Sequence, residues 1–120
     1  MKVIVDVTPQ KIYIDEAMQI ARKFDAGDPL PQADYRLHFE TARLLWSHLS
    51  GARLELLDTL HKQGACTVYA LAKAAERNYS NVHKDVAALE NLGLIERDEA
   101  DCVFVPFDAI EIRMPLAKAA

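Results

Sequence analysis

The sequence predicts an α+β fold in which a strand and a long helix precede a helical section that ends in a β-hairpin. Three observations predict it. The chain opens on a short β-branched apolar run, KVIVDV, which reads as a strand. Apolar residues then recur at three- and four-residue spacing through most of the chain as far as Leu92, the mark of amphipathic helices. After Gly93 the pattern changes to a period of two, the mark of strands. At 120 residues the chain has the size of one domain with a core of its own. The expected divisions are an N-terminal extension over 1–49, a helical and hairpin section over 50–106, and a closing strand and tail over 107–120.

Each element follows from local chemistry. Thr8 and Pro9 suit an N-cap and a first helical position, so a helix is expected over 9–26. Tyr13, Ala17, Ile20 and Phe24 fall on one side of it, with Ile14, Met18 and Ala21 beside them. That wide apolar face is either core or a dimer surface, and dimerisation is the expected role. Gly27-Asp28-Pro29 ends the helix. YRLHFE is a short strand, Thr41 caps the next helix, and Trp46 among Leu44, Leu45 and Leu49 is expected in the core.

Ser50 caps a helix over about 51–62, with Leu54, Leu57 and Leu60 spaced for burial and Gly64 as its stop. Thr67 caps VYALAKAAE, buried through Val68, Leu71 and Ala75. After the turn RNY a further helix is expected, with Ser80 as N-cap and Gly93 just past its end. LIER and CVFVPF form the hairpin around DEAD. AIEIRM is a last strand, expected to pair with the first, and the tail PLAKAA is expected to fray.

Within the helix after RNY, Tyr79, Val82, Val86 and Leu89 make one apolar stripe. The other side shows Ser80, Asn81, Lys84 and Ala88, flanked by His83 and Asp85. A short helix, a tight turn and a second helix with small polar and basic residues at its start form a helix-turn-helix, whose second helix enters the DNA major groove. With the hairpin behind it, this is the winged form. Asn81 suits adenine and Lys84 suits guanine or a phosphate. Ser80 and the backbone N–H groups at the helix start suit a phosphate. Arg77 precedes the helix at a place suited to a backbone phosphate, and His83 can donate to one. Asp85 is expected to pair with a nearby arginine or to cap a backbone group. Arg53 and Arg97 complete the expected DNA-contact residues.

The stretch VHKDVAALENLGLIER resembles the V-x-x-D-[VL]-x-x-L-x-x-x-G-L-[IV] pattern of MarR-like winged-helix regulators. The likeness extends over nearly the whole chain, through HFETARLLWSHLSGARLELLDTLHKQGACTVYALAKAAERNYSNVHKDV and VFVPFDAIEIRMPL. Together these are similar to a family of short prokaryotic winged-helix DNA-binding proteins. The resemblance implies a homodimeric transcriptional repressor on double-stranded DNA. Some members resemble the antitoxin half of toxin–antitoxin modules, which implies autoregulation and a toxin partner. Carried over, the groove-facing residues are Arg77, Ser80, Asn81, His83 and Lys84, and the core residues Val82, Val86, Leu89, Leu92 and Leu94.

The charge qualifies this. The chain carries a formal net charge of -4, which argues against a nonspecific polyanion binder. Residues 51–97 hold six basic and six acidic side chains, and acidity gathers after Arg97. Relatives often carry Gly and Arg at the wing tip, where Arg can enter a minor groove. Here the tip reads RDEADC, and its carboxylates are expected to repel phosphates. The alternative is a protein-interaction module whose acidic wing docks a basic partner. A third role, an effector pocket near Tyr13, Phe24 and Trp46, uses residues that more often form plain core.

Other classes lack support. There is no Gly-rich phosphate loop and no nucleophile elbow, so no enzyme activity and no cofactor are expected. His38, His48, His61 and His83 are scattered, and Cys66 and Cys102 lack metal-type spacing. No metal site is expected, and the thiols are expected to be free and reduced. No apolar run approaches the ~20 residues of a membrane span. The start has no secretory h-region, so a cytoplasmic protein is expected.

Overall fold

A computed structural model describes residues 1–8, 10–25, 27 and 34–116. The elements run β1 (Lys2–Val7), α1 (Gln10–Asp25), β2 (Tyr35–Phe39), α2 (Ala42–His48), α3 (Gly51–Gln63), α4 (Val68–Ala75), α5 (Tyr79–Asn91), β3 (Glu96–Arg97), β4 (Val103–Phe104) and β5 (Ala109–Arg113). The fold is α+β. The chain divides into two compact units: Met1 with Ser47–Asp108, and Lys2–Trp46 with the chain from Ala109 onward.

The second unit is built on a parallel sheet ordered β2-β1-β5. The N- and C-terminal strands therefore pair, as expected. Val5 of the central strand sits level with Leu37 on one side and Ile112 on the other. Side chains alternate across a strand, so the two registers sort the sheet into two faces. Val3, Val5, Val7, Leu37, Phe39, Ile110 and Ile112 share the apolar one. The other carries the charged and polar side chains: Lys2 pairs with Glu111, Arg113 with Glu111, and Arg36 with Asp6, and His38 lies against Asp6. Asp6 is 8 % exposed and accepts from Thr8 Oγ1 at 3.5 Å, with His38 Nδ1 at 3.2 Å. A buried carboxylate in a strand thus keeps its polar partners on its own face.

Helix α1 lies in the chain where expected. Pro9, Asp28 and Pro29, expected at its ends, lie outside the described residues, while Gly27 adopts the left-handed φ of 78°. Ala17, Met18, Gln19, Ile20, Ala21 and Arg22 are all exposed. Six consecutive residues pass right round a helix, so no face of α1 is buried along this stretch. The side chains of Tyr13 and Phe24 lie outside the described residues.

Helix α2 begins under the Thr41 hydroxyl, which accepts from Leu44 N at 3.2 Å. Trp46 corrects the expectation for this helix, because it is 51 % exposed. The buried residue of α2 is Leu45. Trp46 stands about 100° round the axis from Leu45 and faces outward.

In the first unit Ser50 and Thr67 cap α3 and α4 as expected, accepting from Arg53 N and Ala70 N. Gly64 ends α3 at φ 79°. The buried apolar side chains are Leu49, Leu56, Leu57, Leu60, Val68, Leu71, Ala72, Val82, Val86, Leu89, Leu94, Ile95, Val103 and Phe107. Two expected core positions shift along the helix: Leu56 is buried in place of the expected Leu54, and Ala72 in place of Ala75. Helix α4 lies against both α3 and α5, so its inward stripe faces two neighbours and turns with them.

The hairpin β3–β4 is antiparallel, with Glu96 opposite Phe104 and Arg97 opposite Val103. Cys66 adds a third rung: its N–H donates to Val103 O at 3.1 Å, and Val103 N–H donates to Cys66 O at 2.8 Å. The segment between α3 and α4 is thereby joined to the hairpin. Both cysteines are free. Burial, together with the nearby Cys102, pushes the Cys66 thiol above its ordinary pKa. Pro115 and Leu116 carry no regular structure, and the rest of the tail lies outside the described residues. No described helix is long and apolar enough to cross a membrane.

Candidate nucleic-acid interface

The site is built by two helix ends that meet in a tight turn. Helix α4 closes with Glu76 in the left-handed conformation, φ 54° and ψ 44°. Arg77 N–H then reaches Ala72 O at 3.0 Å and Glu76 N–H reaches Lys73 O at 3.1 Å, the two bonds of a Schellman end. Two residues later α5 starts. Its N-cap is Asn78, whose side chain accepts from Ser80 N at 2.9 Å and Asn81 N at 3.3 Å. This corrects the expected cap, Ser80, which lies inside the first turn. It also changes what the helix start can do. The backbone N–H groups of Ser80 and Asn81, expected to meet a phosphate, already donate to Asn78. At its far end α5 has a second Schellman motif, with Leu94 N–H on Leu89 O and Gly93 N–H on Glu90 O, both 3.0 Å. Gly93 has φ 79°, as its expected place just past the helix requires.

Val82, Val86 and Leu89 are buried on the inner side of α5. Ser80, Asn81, His83 and Lys84 are exposed on the outer side. Tyr79, expected in the buried stripe, is instead 49 % exposed. It is the first residue of the helix, where the inward line has run past the edge of the core. Leu92, expected in the core, is only half-buried.

The arginines take a different position. Asp85, on α5, accepts from Arg53 Nε of α3 at 3.1 Å and from Arg77 Nη2 of the turn at 2.8 Å. Arg53 also donates to His48 O at 2.9 Å. The carboxylate therefore ties three segments together, the structural pairing expected of it. Burial by itself raises the Asp85 pKa, but the hydrogen bonds and charges of Arg77 and Arg53 outweigh it and hold the carboxyl below the ordinary carboxylate range. Arg97 is shared between Glu90 at 2.6 Å and Asp101 at 2.8 Å; these bonds, Glu90 first, hold its guanidinium still more firmly protonated.

The acidic tip is partly committed as well. Asp98 Oδ1 accepts from Ala100 N and Cys102 N, both at 2.9 Å, and so shapes the turn. Asp101 adopts φ 63° and serves Arg97. Among the described residues of this unit, Lys62 pairs with Asp58, while Lys73 and Lys84 have no ion pair.

Two features had no signal in the sequence. The rung at Cys66 is a single residue, too short for any periodicity. Tyr69 on α4 is 61 % exposed and lies beside Tyr79, their ring centroids 6.5 Å apart. A helical wheel places Tyr69 outside the stripe but cannot bring it to the start of the next helix.

No group of three or more His, Cys, Asp and Glu suited to a metal ion occurs among the described residues. Nothing among curated proteins or solved structures matches the chain. A family model described as HVO_A0114 matches residues 48–112, which takes in α3, the α4–α5 pair, the hairpin and most of β5. That is more than half of the 120 residues, and the chain belongs to the HVO_A0114 family.

Proposed function

We propose that the unit Ser47–Asp108 is a winged helix-turn-helix and that the protein binds double-stranded DNA sequence-specifically, as a homodimeric transcriptional repressor. The observation that carries this reading is the outer face of α5. It is fully formed, capped at both ends, and it presents Ser80, Asn81, His83 and Lys84 to solvent. The order of elements supports it, as does the Cys66–Val103 rung, which gives the hairpin a third short strand. In this reading Asn81 pairs with an adenine and Lys84 with a guanine or a phosphate. Arg53 and Arg77 set the pose of α5 through Asp85. Arg97 braces the wing. The exposed Ala17, Ile20, Ile14 and Met18 of α1 support a dimer formed through that helix, with one α5 per major groove. Repression then follows by occlusion of a promoter. An antitoxin that regulates its own gene is a special case of the same mechanism.

A fluorescence-anisotropy titration tests it, with the DNA just upstream of the gene against a scrambled duplex at two salt concentrations. Preferential binding that weakens steeply with salt is expected. Asn81→Ala should lose about 1–3 kcal/mol at one base position; an unchanged ratio of specific to scrambled binding would remove Asn81 from the readout. A second reading is favoured by the exposed Glu96 and Glu99 of the hairpin: a protein-interaction module that docks a basic partner, such as a toxin. It predicts no preference for either duplex and capture of a basic protein by the intact chain but not by Glu96→Lys/Glu99→Lys.

A further inference from the structure

The uncommitted positive charge and the exposed aromatic surface of the first unit coincide. Between Ser47 and Asp108 the exposed large hydrophobic residues are Tyr69 and Tyr79, and the lysines without an ion pair are Lys73 and Lys84. Lys73, Tyr69 and Tyr79 lie together where α4 meets α5. The Tyr79 ring is 6.5 Å from Tyr69 and 5.8 Å from the His83 ring, tilted at 50° and 43°. Lys73 Nζ stands 5.3 Å from the Tyr69 ring centroid, within reach of a cation–π contact. The result is a ridge that runs from Lys73 across Tyr69 and Tyr79 to His83, along the start of α5.

We propose that Tyr79 is a specificity-determining residue that reads the 5-methyl group of a thymine in the major groove, with Tyr69 and Lys73 holding the adjoining sugar–phosphate. The inference rests on the DNA-binding reading above and deepens it. Tyr79 occupies the first position of the helix, at the end that enters the groove. Its ring offers an apolar face, and the thymine methyl is the one apolar group that base edges present there. Neighbouring Asn81 supplies the hydrogen-bonding half of the readout. Lys73, one helix back, lies on the side where the backbone passes and neutralises a phosphate.

The test uses the full chain and a labelled duplex from just upstream of its gene, prepared once with thymine and once with uracil throughout. Wild type should bind the uracil duplex about fourfold more weakly for each thymine methyl that the ring covers, the worth of burying one such group. Tyr79→Ala should bind the thymine duplex more weakly and should no longer distinguish the two duplexes. Tyr79→Phe, which keeps the ring, should keep the discrimination. Because Tyr79 is exposed, thermal melts of these variants should match wild type. If Tyr79→Ala retains the wild-type thymine-to-uracil ratio, the inference fails while the DNA-binding reading stands. If wild type shows no preference for its upstream duplex over a scrambled one, both fail together.

Discussion

Replacing Asp85 by asparagine keeps the shape of the side chain and removes its charge. Two guanidinium groups then face each other across a neutral amide. Arg77 Nη1 is already buried without an acceptor among the described residues, so Arg77 has little to turn to. Removing one partner of a fully buried pair costs about 3–5 kcal/mol, and exposed pairs contribute at most about 1 kcal/mol. Here the side chains are 16 % exposed for Asp85, 22 % for Arg53 and 30 % for Arg77. That places the trio nearer the buried limit, and the retained amide oxygen still accepts one hydrogen bond, so the expected loss is about 2–3 kcal/mol. For a chain of this size the melting temperature should fall by roughly 10 °C.

The same trio should show in acid. The native Asp85 carboxyl is held below the unfolded value, so its stabilisation is complete above about pH 4. It is lost as pH falls from there through the lowered native value. Urea titrations of wild type and Asp85→Asn at neutral pH and through that acid window measure both effects. The variant should lack Asp85's share of the acid dependence. A neutral-pH difference below about 0.5 kcal/mol, the usual range of a surface substitution, would refute the claim that Asp85 sets the pose of α5.

Three further outcomes test the local readings. Glu76→Gly relieves a left-handed residue at the end of α4 and should stabilise the protein by up to about 1 kcal/mol; a lower urea midpoint would mean that the Glu76 side chain has a role of its own. Asn78→Ala removes the acceptor for two N–H groups and should cost about 1–2 kcal/mol, whereas Ser80→Ala, inside the helix, should change the midpoint by less than half as much. Trp46→Ala should cost under about 1 kcal/mol and Leu49→Ala about 2–5 kcal/mol; equal losses in thermal melts would restore Trp46 to the core.

What the sequence by itself determined is what short-range chemistry controls. Ser50, Thr67, Gly64 and Gly93 mark helix ends legibly because a cap acts within three or four residues of itself. The strands at both ends of the chain and the change of period after Gly93 were legible for the same reason. Their periodicity is a property of consecutive residues. The residues on the outer side of α5 were legible too, as the complement of Val82, Val86 and Leu89.

What only the tertiary structure decided is which side of a helix has neighbours and how far that neighbourhood extends. Tyr79 continues the spacing of the buried stripe, yet the core ends one turn short of it. Trp46 stands among leucines in sequence but about 100° round the axis from the buried Leu45. Asn78 and Ser80 are both good caps, and the choice between them depends on α4 ending at Glu76. The joining of Arg53, Arg77 and Asp85, and the ridge from Lys73 to His83, bring together residues from different helices. Their sequence separations carry no period, so only the packing of α4 against its neighbours could place them side by side.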